Sequence, residues 1–127
     1  MSRLLLDAHV VIWWDNGSRA LGPKAKSAIE SASAVYVSAA SEWELSIKAS
    51  IGKIRLRRCI LDAVLDAGFE PLPVTFAHTQ AVRTLPPLHK DPFDRLLVAV
   101  AQTEGLTLVS VDSILKRYDI LFQDASK

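Results

Sequence analysis

Four acidic residues stand where a folded chain could gather them into one place. Asp7 follows the apolar run Leu4–Leu6, and Glu44 lies between Trp43 and Leu45. Asp94 closes the tetrapeptide Asp91-Pro92-Phe93-Asp94, and Asp112 follows the apolar stretch Thr107–Val111. Carboxylates sharing a crevice at ~5 Å repel by roughly 3 kcal/mol per pair at an effective dielectric of 20. Such a cluster must take up protons or bind cations. Hard oxygen donors, without thiolates or a histidine pair, favour Mg²⁺ or Mn²⁺ over Zn²⁺. Carboxylates around such ions serve phosphoryl chemistry, where the ion clamps phosphate oxygens and acidifies the attacking water.

Taken singly, three of these acids have simpler explanations. Asp7 can N-cap a following helix, a contribution of ~1 kcal/mol. Asp91 suits an N-cap with Pro92 at the first helical position, and Asp94 then sits where an acid favours the helix dipole. Asp112 can be an N-cap as well. Capping cannot explain Glu42 or Glu44, which fall inside a helix. With Trp43 at zero and about 100° per residue, Ala39, Ala40, Ile47 and Ile51 place the apolar stripe near +40°. Glu44 then lies about 60° from the stripe centre and Glu42 about 140°. Glu44 flanks the buried side, and Glu42 points to water. The simple role for Glu44 is an i,i+4 ion pair with Lys48, worth only ~0.3–0.5 kcal/mol.

The elements that must position these acids alternate along the chain. Leu4–Leu6 reads as a buried strand, His9–Trp14 as a short helix, and Pro23 opens a helix to about Ser31. Ala34–Val37 is a second strand, Ala39–Ile51 a helix ended by Gly52, and Ile60–Ala67 a helix closed by Gly68. Glu70–Val74 is extended and Thr75–Leu85 helical. Pro92 starts an apolar helix to Glu104, capped by Gly105. Thr107–Val111 is a strand, Ser113 begins a brief helix, and Ile120–Phe122 is a last strand. This alternation predicts an α/β chain, a three-layer α/β/α sandwich on a mainly parallel sheet. In such sheets ligands bind beyond the carboxyl ends of the strands, where Asp7 and Asp112 fall.

The 127 residues fit one domain, 1–127, and a composition half apolar supplies a real core, which excludes disorder. Fifteen Lys and Arg against fourteen Asp and Glu give a net charge of +1, so only charge distribution can point to a polyanionic partner. The one cysteine, Cys59, excludes an internal disulfide and fits a reducing, cytoplasmic setting. No apolar run approaches the ~18 residues of a membrane span. Asp7 interrupts the stretch a signal peptide would need.

Four stretches, in this order, carry a family resemblance: LLLDAHVVIWW (4–14), SAASEWELSIKASIGKI (38–54), HKDPFDRLLVAVA (89–101) and TLVSVDSIL (107–115). Together the chain resembles a PIN-domain protein, and more narrowly the VapC-type toxins of bacterial toxin–antitoxin modules. The resemblance implies a parallel-sheet α/β/α fold and a Mg²⁺- or Mn²⁺-dependent endoribonuclease that leaves a 3′-hydroxyl and a 5′-phosphate. It implies a small antitoxin partner and a homodimer. Position by position it assigns the acids to Asp7, Glu44, Asp94 and Asp112, with the first three holding the principal ion. Family members often carry threonine two residues before the last acid. Ser110 stands there and keeps the hydroxyl, implied as a hydrogen-bond partner behind the acids.

From Leu45 to Leu61 there is no acid, whereas Lys48, Lys53, Arg55, Arg57 and Arg58 supply five positive charges. Charged and apolar residues alternate from Lys53 to Arg57, as on an extended segment with one wet face. The segment is either a solvated surface or an edge where Lys53, Arg55 and Arg57 contact RNA phosphates without reading sequence. Trp13, Trp14 and Trp43 read as core or dimer-interface aromatics, His9 and His89 as structural histidines, and Cys59 as inert. Two rival functions stay open: a catalytically weak PIN scaffold that binds RNA or protein, and a phosphotransfer module phosphorylated at Asp7. The second needs a lysine at the end of a late strand, where this chain has Ser110-Val111-Asp112.

Overall fold

The computed structural model describes residues 2–127. Five strands, β1 (Arg3–Leu6), β2 (Ala34–Ser38), β3 (Glu70–Leu72), β4 (Thr107–Ser110) and β5 (Leu121–Asp124), form one sheet in the order β3-β2-β1-β4-β5. Every neighbouring pair is parallel. Six α-helices connect them: α1 (Ala8–Asn16), α2 (Pro23–Ser31), α3 (Ala39–Ser50), α4 (Ile60–Asp66), α5 (Phe76–Ala81) and α6 (Pro92–Glu104). Short 3₁₀ turns span Val82–Thr84 and Ser113–Arg117. The segment read as one helix from Thr75 to Leu85 is therefore α5 followed by a 3₁₀ turn that ends before Pro86-Pro87. A residue ahead of proline disfavours the helical region, which tightens and stops the helix there.

β1 is buried on both faces, which is why it reads as an unbroken apolar run rather than an alternation. Leu4 and Leu6 join Val35, Val37 and Val109 in a core under α1, α2, α3 and α4. Leu5 points the other way and joins Leu108, Leu97, Val100 and Leu115 in a second core under α6. Two cores on one sheet make the three-layer sandwich. Gly17 and Gly105 close α1 and α6 in the left-handed region, at φ 63° and 67°, where a side chain would be strained.

The connectivity places the site. From β1 the chain moves outward through β2 to β3, then returns to lay β4 on the opposite edge of β1. The strand order reverses between β1 and β4, so the two connections leave a crevice at their carboxyl ends. Among the described residues no helix is long and apolar enough to cross a membrane.

Candidate metal centre

Asp7 ends β1 in that crevice, 7% exposed, and serves two purposes at once. One oxygen N-caps α1 by accepting the His9 N–H at 3.4 Å, and the other accepts the Ser110 hydroxyl at 2.7 Å. Ser110 is fully buried at the end of β4, and its oxygen also accepts the Asp112 N–H at 3.1 Å. This hydroxyl ties the acid after β1 to the backbone of the acid after β4. Asp112 caps the following 3₁₀ turn through the Ile114 N–H at 3.0 Å. Its capping role and its place in the crevice coexist, because one carboxylate has two oxygens.

Asp94 enters from the first turn of α6. Asp91 is the N-cap, accepting from the Phe93 and Asp94 N–H groups at 2.8 and 3.1 Å. Burial drives the Asp94 carboxyl up to about 7, and the charges of Asp7, Asp91 and Glu44 push the same way. His89 opposes them. A carboxylic acid pushed up to about 7 by burial and by neighbouring acids is poised to exchange its proton for a cation.

Glu44 lies on α3, buried, with Oε2 accepting from Lys48 Nζ at 2.9 Å. Glu44 holds the Lys48 ammonium above its ordinary value, with lesser contributions from Asp7 and Asp91. Oε1 of Glu44 is buried and has no hydrogen-bond partner among the described residues. The apolar stripe expected on α3 is turned: the buried residues are Ala40, Ser41, Glu44 and Leu45, centred about 90° from the stripe the periodicity gives. Trp43, Ile47 and Ile51 are exposed, and Trp43 packs near-perpendicular to Phe93 on α6, with ring centroids 5.0 Å apart. Hydropathy aims a helix by its apolar side chains taken together, whereas α3 turns Ala40, Ser41, Glu44 and Leu45 inward and leaves Trp43, Ile47 and Ile51 outside. Glu44 is nonetheless on the inner side. Glu42 faces solvent and accepts from the Ser46 hydroxyl.

The tightest potential ligand group among the described residues is His89, Asp94 and Asp112, whose ligand atoms lie within 4.8 Å of one another. Nε2 of His89 is 2.6 Å from Asp112 Oδ2 and 3.3 Å from Asp94 Oδ2. Asp7 and Glu44 flank this group and act on Asp94 through their charge. From sequence alone His89 reads as structural; its reach to Asp112, 23 residues on, leaves no mark in local spacing. The oxygen-rich donor set, the orphaned buried Glu44 oxygen and the proton-holding Asp94 suit a hard divalent cation.

The basic segment lies elsewhere. Lys53, Arg55 and Arg57 are exposed, while Ile54 and Leu56 between them pack on the core. It belongs to no strand. It packs near the end of α1, where Arg57 donates to the Asp15 carbonyl at 2.8 Å and lies 3.2 Å from its carboxylate. Arg58 binds that carboxylate through Nε and Nη2 at 3.1 and 2.7 Å, holding Asp15 below its usual range, and also pairs with Asp66. Asp7 sits at the opposite end of α1, a nine-residue helix about 13 Å long. The basic segment is thus about a helix length from the acids.

Comparison with known proteins agrees with this layout. The PIN domain family profile matches residues 4–121. Ribonuclease VapC22 of Mycobacterium tuberculosis (strain ATCC 25618 / H37Rv) is 32% identical over 121 residues, covering 93% of each chain. Among solved structures, VapBC2 from Rickettsia felis, bound to a DNA fragment from their promoter, shares the fold at a TM-score of 0.71 and 17% identity, covering 95% of this chain and 97% of that one. FitAcB from Neisseria gonorrhoeae does so at 0.66 and 18% identity, covering 96% and 97%. With a family match running from the first strand to the last, and a relative this similar along almost its whole length, the chain belongs to the PIN domain family.

Proposed function

We propose that this chain is a metal-dependent endoribonuclease, the toxin member of a toxin–antitoxin pair, hydrolysing RNA phosphodiester bonds in the crevice between β1 and β4. The observation that carries this reading is the convergence of Asp7, Asp94 and Asp112 at the strand-order reversal, beside a buried Glu44 oxygen with no partner. A cation held there would give that oxygen the partner it lacks.

Asp7, Glu44, Asp94 and Asp112 would hold Mg²⁺ or Mn²⁺. When bound, the ion supplies positive charge to the phosphate oxygens and lowers the pKa of the attacking water. Asp94 would have to be ionised to hold the ion. Ser110 keeps Asp7 turned into the crevice, and Lys48 compensates Glu44 from the side. Lys53 and Arg55, with Arg57 partly engaged by Asp15, contact backbone phosphates beyond the cleavage point.

A toxin-antitoxin complex from Klebsiella pneumoniae, which shares the fold at a TM-score of 0.60 and 18% identity over 87% of each chain, supports an antitoxin partner. An apolar groove of about 460 Å³ between the start of α3, α4 and β3, lined by Val37, Ile60, Leu61, Val64 and Leu72, suits an apolar anchor from such a partner. The exposed Trp43, Ile47 and Ile51 support a second copy of the chain as a further neighbour. The test is cleavage of total RNA by the isolated protein with and without Mn²⁺. Metal-dependent cuts that disappear in Asp94→Asn support the reading. RNA binding without turnover in the presence of metal assigns the protein to a binding scaffold instead.

A further inference from the structure

His89 is a side chain in the crevice that the four-acid arrangement does not use, yet both its ring nitrogens and its backbone N–H are engaged. Its Nδ1 accepts the Asp91 N–H at 3.0 Å, so that nitrogen offers a lone pair and the ring proton belongs on Nε2. Nε2 points between the two acids, 2.6 Å from Asp112 Oδ2 and 3.3 Å from Asp94 Oδ2. The backbone that carries it is fixed on both sides. The His89 N–H donates to the hydroxyl of Tyr118, a buried residue, at 3.0 Å. Arg95 Nη1 donates to that same hydroxyl at 3.4 Å and to the carbonyls of Pro86 and His89 at 3.1 and 3.5 Å. Arg95 Nη2 reaches the Val82 carbonyl at 3.4 Å. One guanidinium thus staples the chain ahead of α6 to the end of the 3₁₀ turn after β4.

We propose that His89 is a positioning residue, a fixed Nε2–H donor that holds the Asp112 carboxylate against Asp94, and not a ligand of the ion. This rests on the reading of the crevice as a metal site. Ligation through Nε2 would require the ring proton to move to Nδ1, where the Asp91 N–H already points, so two hydrogens would face each other. Donation from Nε2 costs nothing and leaves the other Asp112 oxygen for capping. The geometry is that of a carboxylate oriented by an imidazole, the reverse of the usual arrangement in which a carboxylate orients a ligating histidine.

The experiment joins a spectroscopic and a binding measurement. Long-range ¹H–¹⁵N correlation of the imidazoles in the full chain reads the His89 tautomer, before and after Mg²⁺. Mn²⁺ affinity is measured for wild type, His89→Ala and His89→Gln, since a Gln amide can place an N–H near the position of Nε2. The proton is expected on Nε2 in both states. His89→Ala should weaken Mn²⁺ by roughly tenfold or more, and His89→Gln should recover most of the loss. A proton on Nδ1 in the metal-free protein, its transfer there on loading, or a Gln variant no better than Ala overturns the proposal. If wild type binds no ion, the metal-site reading fails, and the metal-free spectrum alone decides whether His89 is the donor described.

Discussion

The Ser110 hydroxyl donates to Asp7 Oδ2 at 2.7 Å, joining residues 103 positions apart across the β1–β4 pair. The same oxygen accepts the Asp112 N–H, so one buried atom sets the spacing of two acids on different connections. A hydroxyl can do both because it donates once and accepts twice. Ser110→Ala leaves a buried carboxylate oxygen and an amide N–H without partners, at about 1–3 kcal/mol. Urea unfolding should show that loss, and RNA cleavage should fall more steeply than stability alone explains. A variant as stable as wild type, with unchanged cleavage, would remove the serine from the account.

Asp94 makes both stability and metal binding depend on pH. Its carboxyl sits at about 7 in the fold because it is buried beside other acids, against an ordinary 3.8. Between those values the folded chain holds a proton that the unfolded chain has released. Stability of the metal-free protein should therefore fall as pH rises from about 4 to 7. A cation must displace that proton below pH 7, so Mg²⁺ should raise the melting temperature more at about pH 8 than at about pH 6. Asp94→Asn should remove most of the metal-induced rise and its pH dependence. Melts of both proteins, with and without Mg²⁺ at the two pH values, give the answer; an unchanged shift in Asp94→Asn places the ion elsewhere.

Two glutamates on one helix separate site from surface. Glu44→Gln should lower cleavage at least tenfold, about what loss of a metal ligand's support produces. Glu42→Gln should stay within about twofold, because Glu42 is exposed and its carboxylate accepts the Ser46 hydroxyl outside the crevice. Single-turnover rates at saturating Mn²⁺ make the comparison, and equal losses would mean that α3 is held by charge on both faces.

The order of strands and helices could be read from the sequence because each element carries its own local mark. Pro23 and Pro92 open α2 and α6, Gly17 and Gly105 close α1 and α6, and Leu4–Leu6 are unbrokenly apolar because β1 is covered on both faces. The acids at strand ends were readable for the same reason, since strand ends are local. The rotation of α3 was not. Trp43, Ile47 and Ile51 dominate its hydropathy, yet they lie on the surface, and which face packs inward is fixed by elements far away in sequence. The reach of His89 is hidden on the same ground. Its partners Asp112 and Tyr118 arrive from after β4, and only the folded sheet brings them to the chain ahead of α6.

The basic segment should reveal itself through salt. Removing one cationic side chain from a backbone phosphate lowers the log–log salt slope of RNA binding by roughly one unit or less. Lys53→Gln and Arg55→Gln should each flatten the slope. Arg57→Gln should flatten it less, because the Arg57 guanidinium already donates to the Asp15 carbonyl and lies 3.2 Å from its carboxylate. These side chains lie about a helix length from Asp7, so the triple variant should bind more weakly while cutting at the same positions. Binding across a salt titration, paired with mapping of cut sites, tests both halves. An unaltered slope in the triple variant would make Lys53 to Arg57 a solvated face whose apolar residues, Ile54 and Leu56, merely pin the loop to the core.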